Sequence, residues 1–322
     1  MGPSVGIVVV NWNEKQILRQ CLESFIKKTK YENAEIIVFD NNSKDGSQEM
    51  VREEFPNVTL IAHDDNIGFV GGENEAYLQT DHDMYFFLNN DTEALNEGWL
   101  SYLVETAMKD ERIGIVGPKT FLSEGIHGGG FFGPMGGYRR LSDDPDEFEE
   151  IIDVDWVAGA QILIKKEVFE DVGMFDEIYW PAFMEEVDLC YRAKQGGYRV
   201  VYDPRAEIRH YQNESVEMDL HKFYIQRRHG IRFSLVNYPL SWLLQWQLKA
   251  VQETVGTVLE RDGARLRVRD NAAERFKKHL RAYWWNLKDA DEILRGRRKR
   301  KQSYREKTDM QYWKKNRTYG GE

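Results

Sequence analysis

Residues 4–13 read SVGIVVVNWN, an unbroken apolar run from Val5 to Val10 that stops at Asn11. Every residue of the run except Gly6 is β-branched. A run that is apolar at every position, not at every second one, is the pattern of a strand covered on both faces. It is too short for a signal-peptide core and no basic segment precedes it. Outward from it, Leu18, Cys21, Leu22 and Phe25 recur at helical spacing. Ile36–Phe39 is a second apolar run and ends at Asp40. Ser47–Glu54 reads as a short helix stopped by Pro56, and Val58–Ile61 as a third strand. A helical piece opens at Asn74, Tyr85–Leu88 is a fourth strand, and Leu100, Leu103, Val104 and Ala107 share one helix face before a fifth strand at Ile113–Val116. Strands alternating with helices of this length predict an α/β fold, a mostly parallel sheet with right-handed crossovers and flanking helices.

After Pro118 the pattern changes. Residues 125–138, GIHGGGFFGPMGGY, hold seven glycines and one proline and read as a mobile loop with exposed aromatics. An acidic run, Asp143 to Glu150, follows. Strand-like pieces return at 151–155 and 160–164, Val187–Lys194 reads as a helix, and Tyr198–Tyr202 as the last clear strand. From Met218 onward the chain reads as mainly helical. These changes predict a body over 1–225, divided near 118/119, and a helical extension over 226–322.

Of the 322 residues, 41% are hydrophobic and 30% charged, which excludes wholesale disorder. Two cysteines, Cys21 and Cys190, exclude a disulfide scaffold and a thiolate zinc cluster and suit a reducing cytoplasm. The net charge of -10 hides an asymmetry: residues 261–322 carry 20 Lys and Arg against 9 Asp and Glu. An acidic body with a basic tail points to two jobs. The tail reads first as a solvated helical face and, more sharply, as a contact for an anionic membrane surface, around Trp284, Trp285 and Arg295–Lys301. No nucleic acid is expected as a partner. The expected place is the cytoplasm, at the inner face of the cell membrane where the tail touches lipid.

In an open parallel sheet, ligands bind outside the carboxyl ends of the strands. The first strand is followed by Asn11-Trp12-Asn13 and the second by Asp40-Asn41-Asn42-Ser43. The third leads to Asn66-Ile67-Gly68 and Gly71-Gly72, and the fourth to Asn89-Asn90-Asp91. One such end is an ordinary turn. Four in series along one edge make a binding cleft. The dinucleotide fingerprint is missing after the first strand and the P-loop is missing everywhere, which excludes a standard dehydrogenase and a Walker ATPase. Asp40 suits a base or ribose, and Asp91 a divalent cation bridging phosphates, with hard oxygen ligands favouring Mg2+ or Mn2+.

The segments VGIVVVNWNE, VFDNNSKDGS, DDNIGFVGGENEA, FFLNNDTEA, DWVAGAQILIKKEVFEDVGMFDE and FMEEVDLCYRAKQGGYRVVYDPRAEIRHYQNES follow one another over about residues 4–235. In that order they resemble family 2 glycosyltransferases of the GT-A fold, nearest the rhamnosyltransferase-like subgroup. The resemblance implies an inverting, metal-dependent transfer of a sugar from a nucleotide-diphosphate sugar to a glycan or lipid-linked saccharide acceptor. It assigns Asn11, Asp40, Asn66, Gly72, Asn74, Asn90 and Asp91 to the donor, with Asp91 and His210 holding Mg2+ or Mn2+. It assigns Trp156, Ala158 and Gly159 to the sugar and acceptor pocket. Glu186 stands where the family has its base Asp, with Glu185 and Asp188 able to share the role. Asn89 stands where the family's D-x-D has its first Asp, which leaves one anionic ligand there.

Each of these residues has a plainer reading. Asp91 alone would be a turn or cap acid, and Asp45 and Ser47 read better as a helix cap than as ligand contacts. Trp156 reads equally as packing and as a sugar wall, and Phe131 and Phe132 as loop ornament or a lid. Cys21 and Cys190 read as core. Trp242, Leu243, Trp246 and Leu248 read as packing. The departures at Asn89 and Glu186 keep open a catalytically silent sugar-nucleotide-binding or scaffolding module.

Overall fold

The computed structural model describes residues 2–123, 125–132, 138–140, 149–211, 220–239, 242–243, 259–262, 265–268 and 272–305. The chain runs β1 (Val5–Asn11), α1 (Lys15–Lys28), β2 (Ala34–Asp40), α2 (Ser47–Glu54), β3 (Thr59–Ala62), α3 (Gly68–Leu78) and β4 (Met84–Asn89). Next come β5 (Thr92–Ala94), α4 (Trp99–Met108), β6 (Ile113–Leu122), β7 (Gly125–His127), β8 (Gly130–Phe132) and β9 (Tyr138–Arg140). They are followed by β10 (Ile152–Val154), β11 (Gln161–Lys165), α5 (Lys166–Val172), α6 (Glu185–Gln195) and β12 (Arg199–His210). The last described elements are α7 (Leu220–Asn237), β13 (Leu259–Asp262), β14 (Arg265–Val268), α8 (Ala272–Lys288) and α9 (Ala290–Arg305). Two compact units emerge, one of residues 1–131 with 139–214 and one of residues 132–138 with 215–322.

The first unit is built on a ten-stranded sheet in the order β10-β12-β6-β11-β4-β1-β2-β3, with β5 beside β12 and β7 beside β6. β1 lies parallel between β4 and β2, and β3 follows β2 in the same sense. All seven residues of β1 are buried, as its apolar run requires. The chain leaves β1 toward β2 on one side and returns to β4 on the other. That reversal opens a crevice at the carboxyl ends of β1 and β4. The register sets Asn11 beside Asp40 and Val10 beside Asn89, so the polar strand ends lie at one level.

Beyond β4 the sheet is mixed, with β11 antiparallel to both β4 and β6. β6 and β12 are longer than their apolar runs suggest because each continues past a proline. They pair with Asp203 opposite Pro118, and the irregularity between Asp203 and Glu207 takes in Pro204. Proline cannot donate to a ladder, and a bulge is where a strand tolerates it. The extension of β12 carries His210 to a position opposite Thr92. Under the sheet, Trp99 is fully buried, edge-on to Phe25 at 5.2 Å and 4.8 Å from Phe86.

α3 lies close to β1 and β2. A methyl group on Gly72 would stand 2.9 Å from Val10 Cγ1 and 3.0 Å from Phe39 Cδ1. This glycine is what lets the helix approach the strand ends.

In the second unit, α7 packs on α8 and α9. Arg232 of α7 is almost fully buried. Its guanidinium donates to Asn286 Oδ1 at 3.0 Å, Asp289 Oδ2 at 2.8 Å and Glu292 Oε2 at 3.3 Å, and lies 4.5 Å from the Trp285 ring centre. Trp285, read from the sequence as a lipid contact, is therefore a packing residue beneath Arg228 and Arg232. Phe132 is buried and stacks on Phe233 at 5.6 Å, so it is no exposed lid. The extension is not wholly helical, since β13 and β14 form an antiparallel hairpin. Trp242 and Leu243 form a helical turn whose N–H groups bond to Pro239 O. Trp246, Leu248, the acidic run at 143–148, loop residues 133–137 and the terminal segment 306–322 lie outside the described residues.

Gly72→Ala is expected to destabilise the fold by about 1–3 kcal/mol through overpacking. Urea unfolding followed by far-UV circular dichroism measures it, and an unchanged midpoint would refute the close approach of α3.

Candidate active site

Asp40 ends β2 with no exposed surface. Its Oδ2 accepts from Asn11 Nδ2 at 2.9 Å, and its Oδ1 accepts from Ser43 N at 2.8 Å and Gln48 Nε2 at 2.7 Å. Asn11 Oδ1 in turn accepts from Asn90 Nδ2 at 3.0 Å, across the crevice between β1 and β4. Asn11, Asp40 and Asn90 thus form one network over three strand ends. Ser43 Oγ accepts from Asn13 N at 2.7 Å and fastens the loop after β1 to the loop after β2.

Asn41, which the sequence analysis did not single out, accepts from Ile67 N at 3.1 Å and donates to Gly68 O at 3.0 Å. It ties β2 to the start of α3. Asn66 caps that start, with its Oδ1 accepting from Gly68 N at 2.9 Å. A cavity of about 450 Å3 opens beside these loops, lined among others by Asn42, Ser43, Gln48, His63 and Asp64. A wider depression of about 640 Å3 lies where the strands begin, between Asp83, Lys166 and Tyr198. The strand-end cavity is the one placed where open α/β sheets bind ligands.

Two donor-site assignments act through packing. Gly72 provides the close approach of α3. Asn74 accepts from Phe175 N at 3.1 Å and donates to Phe175 O at 2.9 Å, so its amide holds the segment before α6.

On the other side of the crevice, Asp91 and His210 come together, with Oδ1 3.1 Å from Nε2. Asn89 Nδ2 lies 3.3 Å from the same ring nitrogen. The β5–β12 pairing creates this meeting. Among the described residues no group of three His, Cys, Asp or Glu side chains could hold a metal. The pair still fits a hard divalent cation. Neighbouring octahedral ligands at bond lengths of about 2.1 Å lie roughly 3 Å apart, and Mg2+ usually takes one or two protein ligands plus substrate phosphates and water.

The third cluster sits at the amino end of α6. Glu186 lies against Gly159, where a methyl group would stand 2.9–3.0 Å from the Glu186 Cγ, Cβ and Cδ atoms. Glu186 and the Trp156–Gly159 segment are therefore neighbours. Trp156 and Ala158 are buried, and Trp156 bridges Gly130 through its backbone. Phe183 and Met184, just before α6, both have positive φ, at 76° and 81°. Non-glycine residues in that region store strain and gather at functional sites.

A third acid joins Glu185 and Glu186, and sequence reasoning missed it. Glu73 of α3 is buried, and Oε2 of Glu73, Glu185 and Glu186 each meets no hydrogen-bond partner. Burial, then the charges of Glu185 and Glu186, raises the Glu73 carboxyl well above the ordinary range. Burial, then Glu186, does the same to Glu185. Burial also raises Glu186, opposed by backbone hydrogen bonds at Glu186, Val187, Gly159 and Met184. The positive end of the α6 dipole favours a charge in this first turn. Of the three, Glu186 meets the most opposing hydrogen bonds and is the carboxyl best placed to ionise, while burial favours the protonated forms of Glu73 and Glu185.

Asp188 leaves the list of candidate bases. Its carboxylate accepts from Arg192 Nε at 2.7 Å and Tyr179 OH at 3.1 Å with no exposed surface, and Arg192 also bonds the carbonyls of Val172, Gly173 and Met174. That ion pair anchors α6 to the end of α5. Cys21 and Cys190 are buried, and burial pushes both thiols up to about 12, which excludes a thiolate nucleophile.

A mostly parallel sheet with this crossover, extended by antiparallel strands and with a cleft at its carboxyl edge, is the architecture of a GT-A fold. Residues 6–153 match the family model described as Glycosyl transferase family 2. The chain is similar to the O-antigen biosynthesis protein RfbC of Myxococcus xanthus, with 28% identity over 67% of this chain and 18% of that protein. It is also similar to the N-acetylglucosaminyl-diphospho-decaprenol L-rhamnosyltransferase of Mycobacterium tuberculosis, 27% identical over 57% of this chain and 68% of that enzyme. The chain thus spans under a fifth of the Myxococcus relative's length. Among solved structures, GalNAc-T7 with UDP, GalNAc and Mn2+ shares the fold at a TM-score of 0.63 and 17% identity, over 88% of this chain and 57% of that one. The mannosyltransferase PcManGT of Pyrobaculum calidifontis with GDP-Man and Mn2+ does so at 0.54 and 16%, over 98% and 78%.

The buried acids make stability depend on pH. The folded state keeps a proton on Glu73 that the unfolded chain has released above the ordinary value of 4.5, so stability falls as pH rises from there toward the raised folded value. Glu73→Gln removes that slope. Its stability relative to the parent is expected to rise by up to about 1.4 kcal/mol per pH unit through this window, read from urea unfolding at several pH values.

Proposed function

We infer that this protein is an inverting glycosyltransferase that moves a hexosyl group from a nucleotide-diphosphate sugar to a hydroxyl of a glycan or lipid-linked saccharide. The observation that carries the reading is the convergence of three separate groups on one edge of the sheet. These are the Asn11–Asp40–Asn90 network, the Asp91–His210 pair and Glu186. The base and ribose fit the cavity beside Asp40. Asp91 and His210 would hold Mg2+ or Mn2+, which when bound stabilises the charge that develops on the departing diphosphate. The Mn2+ in both solved relatives supports that choice.

Glu186 is the general base. The acceptor oxygen attacks the anomeric carbon from the face opposite the diphosphate and its proton passes to Glu186. The bond to the diphosphate oxygen breaks, so configuration inverts. The raised proton affinity of Glu73 and Glu185 lessens the charge beside Glu186 before it accepts the proton. Rhamnose is the sugar placed first, because the Mycobacterium relative is by name an L-rhamnosyltransferase acting on a decaprenol-linked substrate. A lipid-linked acceptor would place the protein at a membrane. No helix among the described residues is long and apolar enough to cross one.

A thermal-shift screen of nucleotide sugars with Mg2+ or Mn2+ identifies the donor, since ligand at a hundred times its dissociation constant adds about 2.7 kcal/mol of apparent stability. Asp91→Ala is then expected to abolish the metal dependence of donor binding in calorimetry. A variant that binds normally and still responds to Mn2+ would overturn the metal assignment. Glu186→Gln should leave donor affinity near the parent value while transfer falls about 100- to 10,000-fold. Transfer at the parent rate would remove Glu186 from the mechanism.

A further inference from the structure

α8 has a buried face and an apolar exposed one. Ala272, His279, Ala282 and Asn286 are buried. On a separate face Phe276 is 37%, Leu280 51%, Trp284 59% and Leu287 65% exposed. At about 100° per residue these four fall within roughly 80° of arc and form one stripe along the helix. Lys277, Arg281 and Lys288 run along one border of it, and Lys288 Nζ lies 5.6 Å from the Trp284 ring centre. Lys277 is exposed, in an ion pair with Glu274 at 2.7 Å. The following helix adds exposed Leu294, Arg295 and Arg298. Over 272–305 the sequence holds 12 Lys and Arg against 4 Asp and Glu.

Scattered exposed apolar residues need no explanation, but a contiguous stripe bordered by one sign of charge does. Its width is that of a helix lying in an interface, and its cations match anionic headgroups. A Trp midway along the stripe with a Lys over its ring suits the headgroup level, where an amphipathic ring and a snorkelling amine are both satisfied.

We propose that α8 is a monotopic membrane anchor, with Phe276, Leu280, Trp284 and Leu287 entering the headgroup–acyl boundary of an anionic bilayer while Lys277 and Lys288 meet its phosphates. The proposal deepens the reading of a lipid-linked acceptor given above. It moves the lipid contact from Trp285, which packs inside, to Trp284.

Flotation with vesicles of phosphatidylcholine, alone and mixed with phosphatidylglycerol, tests it. The protein is expected to float with the mixed vesicles and lose that binding as salt rises. Trp284→Ala with Leu287→Ala should weaken binding at least about tenfold, Trp284→Phe should retain most of it, and Lys277→Glu with Lys288→Glu should flatten the salt response. All these side chains are exposed, and melting curves check that the variants fold. Equal flotation of parent and Trp284→Ala/Leu287→Ala proteins overturns the proposal. So does a parent dimer that this pair converts to monomer without changing flotation, which would assign the stripe to a second copy of the chain. Donor hydrolysis in solution is read in parallel. Its absence in a protein that floats normally would count against the enzymatic reading and leave the anchor standing, whereas hydrolysis without flotation would do the reverse.

Discussion

The Asp40 carboxylate is the interaction on which the site depends. It sits at the end of an apolar strand, where a charge without partners would be costly. Donors from Asn11, Ser43 and Gln48 surround it, so its oxygens find partners in a dry position. Removing it would strand these donors, each at a penalty of about 1–3 kcal/mol if left buried. The same contacts level the ends of β1 and β2, and through Asn90 they reach the end of β4. The strand-end cleft thus follows from one buried acid that needs partners from neighbouring strand ends.

The two sides of the crevice are held differently. The Asp40 side is a parallel ladder with short crossovers, and its polar groups come from the ends of neighbouring strands. The side of His210 and Glu186 is assembled from distant segments. β12 must pass a bulge before His210 reaches Asp91, and Glu186 stands on a helix whose entry runs through two left-handed residues and whose first turn is anchored by Asp188 and Arg192. This side contains the strain, the orphaned carboxyl oxygens and the raised proton affinities, as expected where chemistry needs groups that a relaxed fold would not leave so.

This division also explains what the sequence could tell. β1 to β4 were readable as short apolar runs, clearest in β1, which is β-branched and buried throughout, and Asn11, Asp40 and Asp91 because polar residues end four such runs in series. The family resemblance then drew attention to Glu186 and His210. Other features depend on partners that no local pattern reveals. Asn74 resembles a donor contact until Phe175 is seen bonded to both ends of its amide. Asp188 resembles a base until Arg192 and Tyr179 are seen to hold it. Glu73 lies in a glycine-rich helix start and becomes notable only beside two acids more than a hundred positions away. Trp284 and Trp285 are adjacent in sequence, and only the helix's orientation on α7 separates the outward ring from the inward one. A signal did exist there: Phe276, Leu280, Trp284 and Leu287 recur at helical spacing.

Arg232 has a consequence for how the second unit comes apart. Its guanidinium is shared among Asn286 on α8, Asp289 at the junction and Glu292 on α9, with Trp285 across its face. Were one of these helices to fray alone, α7 would keep a cation shut away from both water and counter-charge, at a cost of several kcal/mol. Partial opening is thus the expensive route, and the three helices are coupled into one foldon, closed or lost together. Hydrogen exchange would see their inner amides as a single cooperative block, and whatever α8 presents to its surroundings is presented by that block as a whole.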